Sequence, residues 1–87
     1  MSGDDGVTID GGEKISVGKD RFTKIGENDS LDVGKTFYVS AGDEIALRTG
    51  SATITMKKNG DITIEGKTIT IKGSGDVNIK GQNIHQN

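Results

Sequence analysis

The chain has no cysteine, no proline and no tryptophan, and only three other aromatic residues in 87 positions. Without cysteine there is no disulfide framework, so stability must come from packing and strand pairing. Without proline, every residue keeps a backbone donor for that pairing. No uninterrupted apolar run exceeds three residues, far short of the ~20 that a membrane-spanning helix requires. The first 15 residues lack the charged head and apolar stretch of a signal peptide. An excess of one charge is missing as well. Lys and Arg number 11 against 13 Asp and Glu, a formal net charge of −2, with both signs interspersed. Nucleic-acid binding usually leaves a basic patch, and none is present. Large aliphatic and Phe side chains number 20 of 87, close to the level of disordered chains. That is thin for a self-contained core at this size, and an oligomer that pools several cores is the better solution.

What the chain does have is glycine at regular intervals. Gly18, Gly26, Gly34, Gly42 and Gly50 recur every eight residues. Two apolar columns keep the same period: Ile9, Val17, Ile25, Val33 and Ala41, and Val7, Ile15, Thr23, Leu31, Val39 and Leu47. From Ala52 onward, alternation marks five successive strands, at Ile54/Met56, Ile62/Ile64, Ile69/Ile71, Val77/Ile79 and Ile84. Their starts are 8, 7, 8 and 7 residues apart. Period-2 patterning of β-branched residues predicts short strands with one buried and one wet face. Helix is excluded: no apolar set recurs at helical spacing, and 14 glycines stand in the chain. The corners are written in turn residues, Gly11-Gly12, Glu27-Asn28-Asp29, Asn59-Gly60 and Gly73-Ser74-Gly75-Asp76.

A ribbon of such short strands has open edges that must be covered. A single-chain β-solenoid would need capping segments, and none is recognisable. Three copies winding around one axis satisfy the pattern without them. The expected fold is therefore all-β, an intertwined homotrimeric triple-stranded β-helix, or triangular β-prism, with octad repeats. Its core would be Ile54, Met56, Ile62, Ile64, Ile69, Ile71, Val77 and Ile79, with Thr, Lys and Asp rows outside. At about 4.8 Å per strand spacing, ten or so units make a rod of roughly 50 Å. Residues 1–6 are expected to be a tag or disordered start, and residues 7–87 one continuous shaft ending in a tip.

Candidate chemistry is sparse. His85 is the single histidine. A metal would need three copies of it on a threefold axis, whereas alternation from Ile84 points it outward. Gly73-Ser74-Gly75-Asp76-Val77-Asn78-Ile79 is similar to the glycine–aspartate repeat of calcium-binding β-rolls, but those need tandem copies. Asp43 and Glu44, adjacent on a strand, face opposite sides and cannot act as one acid–base couple. Lys57-Lys58 reads as a solubilising flank of the Asn59-Gly60 turn. No constellation for catalysis is found, so no enzyme, metal or cofactor is expected. A prism that stops leaves its last edges and apolar layer open. The residues from 79 to 87 are thus either a docking platform or a frayed end.

The stretch AGDEIALRTGSATITMKKNGDITIEGKTITIKGSGDVNIKG at 41–81, with GENDSLDVGK at 26–35 and the earlier octads, resembles a known family. It looks like the C-terminal spike of VgrG, the valine–glycine repeat protein of type VI secretion systems, akin to the central spike of contractile-tailed phages. The resemblance covers about 80 of the 87 residues. The family's N-terminal base domains have no counterpart within them. The resemblance implies a trimeric piercing spike, assembled in the bacterial cytoplasm and driven out at the tip of a contractile apparatus through a target membrane. It also implies a C-terminal tip that seats a PAAR-repeat protein, and through it effector proteins. On that reading the tip is a platform made by Ile79, Gln82, Ile84, Gln86 and Asn87. The alternative is the shaft of a phage tail spike or adhesive fibre with a different tip ligand.

Overall fold

A computed structural model describes residues 6–85. Residues 1–5 of the expected start segment, and Gln86 and Asn87 of the expected tip, lie outside the described residues. The described chain is all-β, with no helix. It divides into two units, Met1–Gly34 and Lys35–Asn87.

The second unit holds a three-stranded sheet of β1 (Glu44–Thr49), β2 (Ala52–Lys57) and β3 (Ile62–Glu65). Their order in the sheet is β1-β2-β3, and both pairings are antiparallel. Each connection follows from its turn residues. Gly50 at φ +56° begins the two-residue Gly50-Ser51 loop, which Thr49 and Ala52 close. A glycine with positive φ at the first loop position matches the right-handed twist of the strands it joins. The second loop has three residues. Gly60 N–H donates to Lys57 O at 3.0 Å, and Lys57 N–H donates to Asp61 O at 2.9 Å. Gly60 sits at φ +99°, where a Cβ would strain the backbone. The Asn59 side chain braces this loop by accepting from Asp61 N–H at 3.1 Å and donating to Asp61 Oδ2 at 3.2 Å.

Elsewhere the backbone is extended and bends at the glycine column. Corners fall at Asp10-Gly11, Gly18-Lys19, Gly26-Glu27, Gly34-Lys35 and Gly42-Asp43, an eight-residue step each time. Later corners are at Lys67-Thr68, Ser74-Gly75 and Gln82. The octad period of the sequence is therefore the period of the corners.

Of the five strands expected after Ala52, those at Ile54/Met56 and Ile62/Ile64 form, joined by β1. The segments at Ile69/Ile71, Val77/Ile79 and Ile84 are not strands in the single chain. The reason is pairing. A strand exists only against a hydrogen-bonded neighbour, and no tight hairpin returns these segments to β3. Among the described residues, the backbone hydrogen bonds outside the ladders are three, all at the Asp43 to Asp61 end of the sheet. Among the described residues, the extended segments make no backbone–backbone hydrogen bonds.

The described residues also form no buried core. No described residue is buried, and even on central β2, Ile54 and Met56 are 42% and 46% exposed. The chain exposes 9632 Å² in all. A compact protein of its 9.1 kDa mass exposes roughly 4,900 Å², and the unfolded chain roughly 13,200 Å². The surface left open is nearer the unfolded figure.

Candidate assembly face and tip

Alternation and register decide what the sheet presents. Ile45 is opposite Met56, Leu47 opposite Ile54, Ile54 opposite Ile64, and Met56 opposite Ile62. Directly opposed residues project from the same side of an antiparallel sheet, with Cβ atoms about 4.5–5.5 Å apart. All six side chains therefore form one aliphatic face. The other face carries Glu44 opposite Lys57, Ala46 opposite Thr55, Arg48 opposite Thr53, and Thr63 and Glu65 along β3. The sheet is amphipathic across its thickness, as a half-buried sheet is.

Exposure on the two faces is informative. Thr53 and Thr55 on the polar side and Ile45 on the aliphatic side are half-buried, while every β3 side chain is exposed. Thr53 is flanked by the long side chains of Arg48 and Glu65, which explains its cover on the polar side. The aliphatic side has no layer above it, so Leu47 stays 63% and Ile62 65% exposed. A groove of about 430 Å³ opens at the turn end of this side, where Leu47, Ile54, Ile64 and Ile69 meet Thr49 and Gly66.

Of the eight expected core residues, Ile54, Met56, Ile62 and Ile64 are thus brought together on one face. Ile69 lines the groove beside them. Ile71, Val77 and Ile79 lie beyond the sheet and are exposed. Ile45 and Leu47 complete the face; Leu47 stands in an apolar column of the sequence, but neither is among the eight expected core residues. Their signal was available in the alternation of Glu44-Ile45-Ala46-Leu47 and in the glycine at position 50. Of the expected tip residues, Ile79, Gln82 and Ile84 are described, all exposed, with a corner at Gln82. No hydrogen bond or strand joins them to the sheet among the described residues.

The glycine column has a further property. A Cβ added at Gly18, Gly26, Gly34 or Gly42 would meet nothing within 4 Å, and none of these glycines has a left-handed φ. Neither conformation nor crowding within the chain calls for glycine at these four corners.

The charged groups behave as a solvated rim. Lys58 Nζ pairs with Asp43 Oδ1 at 3.3 Å, and their side chains are 73% and 89% exposed. Such a pair contributes about 0–1 kcal/mol. It does, with the donation of Lys58 N–H to Asp43 O at 3.0 Å, extend the β1–β2 ladder by one residue pair. Among the described residues, no three His, Cys, Asp or Glu side chains stand close enough to hold a metal ion. No helix among them is long and apolar enough to cross a membrane. No protein-family model matches the chain, and no curated protein matches it significantly.

Proposed function

We propose that the chain is the shaft and tip of a contractile-apparatus spike, built from three intertwined copies and resembling the VgrG spike. The observation that carries this reading is a continuous aliphatic face, Ile45, Leu47, Ile54, Met56, Ile62 and Ile64, in a chain with no buried described residue. Two further observations support it. The extended segments on either side of the sheet have unpaired backbone groups, and such edges recruit strands. The corners carry glycine where the chain itself leaves open space, which leaves room for the backbone of another copy.

In this reading three aliphatic faces meet on a shared axis, and the unpaired segments at Ile69/Ile71 and Val77/Ile79 pair between copies. A closed threefold ring leaves no lateral edge. The function is mechanical. Force passes along interlocked chains whose separation would require breaking many strand pairs together. The polar Thr, Lys and Glu rows face outward, so the shaft can pass through a membrane without a lipid-seeking surface. The tip at Ile79, Gln82, Ile84, Gln86 and Asn87 seats a conical PAAR-type partner, which carries any effector. The resemblance supplies the identity of that partner; the open apolar end supplies the reason for one.

Sedimentation equilibrium at micromolar concentration tests the reading. Three copies per particle are expected, and a stable monomer with a cooperative melt would overturn it.

A further inference from the structure

The β2–β3 turn is more than a connector. Asn59 is followed by Gly60, the only asparagine of five with a glycine after it; Asn28 precedes Asp29, and Asn78 and Asn83 precede isoleucine. A glycine nitrogen has no neighbouring side chain to shield it, so it can reach the preceding asparagine carbonyl carbon. The turn is exposed, and its exposed side chains leave it open to water.

Three hydrogen bonds oppose that approach. Gly60 N–H is engaged by Lys57 O at 3.0 Å, which occupies the nucleophile. Asn59 Oδ1 is held by Asp61 N–H at 3.1 Å, and Nδ2 by Asp61 Oδ2 at 3.2 Å. The side-chain amide is thereby tied to Asp61 on the far side of the glycine. The reactive pair is present, but parked.

We propose that Asn59 is a site of spontaneous deamidation whose rate is set by opening of the Lys57–Asp61 turn. In the open turn Gly60 N attacks Cγ of Asn59. The N–Cγ bond forms, the Cγ–Nδ2 bond breaks, and ammonia leaves with the proton lost from Gly60 N. The five-membered succinimide is then opened by water at either carbonyl. Attack at the side-chain carbonyl restores an ordinary main chain with aspartate at position 59. Attack at the main-chain carbonyl gives isoaspartate, with one more carbon in the backbone. Either product adds a negative charge beside Asp61 and removes the Nδ2 donor. Isoaspartate also lengthens the loop, so the Lys57 N–H to Asp61 O closure cannot be kept in register. The proposal does not depend on copy number.

The test uses the full chain, incubated in mildly alkaline buffer with and without urea and followed by peptide mapping with isoaspartate-specific methylation. Position 59 should be modified severalfold faster than Asn28, Asn78 or Asn83, and urea should accelerate it severalfold. Asp61→Ala, which frees Nδ2 but keeps the backbone bonds, should raise the rate in folded protein. Asn59→Gln should abolish the signal from this peptide. Equal modification at all four asparagines would overturn the site. A rate at position 59 indifferent to urea would overturn the gating by the turn, whether or not the Asp61 variant folds.

Discussion

Replacing Gly26 by alanine separates a lone chain from an assembled one by the sign of the effect. In the single chain, a Cβ at Gly26 meets nothing within 4 Å, and the residue is not in the left-handed region. An isolated chain should therefore gain about 0.4–1 kcal/mol, because alanine narrows the unfolded ensemble. If another copy presses its backbone against this corner, the new methyl overpacks the contact. Overpacking costs about 1–3 kcal/mol per site. Three symmetry-related sites would lose about 3–9 kcal/mol per particle, a fall of roughly two to six powers of ten in the assembly constant. The control is Glu27→Ala at the same corner, exposed and expected to stay within about 0.5 kcal/mol. Thermal melting at fixed protein concentration, together with sedimentation, reads both quantities, since the midpoint of an oligomer depends on concentration. Equal or higher stability of the Gly26→Ala protein would refute the argument that a second backbone fills the space at these corners.

The remaining expectations concern the aliphatic face, the tip and the rim. Ile54→Asp should abolish assembly, losing about 1.5–3 kcal/mol of burial per chain plus the cost of burying a carboxylate, whereas Thr63→Asp on the opposite face should be tolerated; equal defects in size-exclusion profiles would undo the face assignment. Removing residues 82–87 should eliminate capture of a PAAR-type protein in a pull-down while the number of copies per particle is retained, and unchanged capture would refute the platform. Lys58→Ala should shift stability by less than about 1 kcal/mol, since its pair with Asp43 is solvent-exposed; a larger change in chemical denaturation would give that pair a weight it lacks here.

The corner period was readable because glycine spacing is a local signal. A glycine marks a corner whatever the chain later meets, and Gly18, Gly26 and Gly42 each sit at one. The face shared by Ile54, Met56, Ile62 and Ile64 was readable for the same reason, since alternation fixes which side chains point together. Which strand lies beside which was not. The Gly50-Ser51 loop folds Ile45 and Leu47 back onto Met56 and Ile54, and that depends on turn geometry more than on hydrophobic pattern. The segments at Ile69/Ile71 and Val77/Ile79 have the same alternation as β3 but no adjacent hairpin, so alternation alone does not make them strands. The apolar tip residues belong to that second class. Their pattern says that they are unsatisfied and leaves open what satisfies them.

The sheet has a consequence for the order in which structure is acquired. Every ladder pair in it, the Asp43–Lys58 extension included, joins residues at most 15 positions apart. Hairpins of this kind close in about 1–10 μs and need no collision with another molecule. Residues 44–65 are thus expected to pair early, as a sheet already sorted into an oily and a wet side. If the proposed trimer forms, encounters between copies would begin from these prearranged templates, and dilution should slow the later steps while leaving this first one untouched.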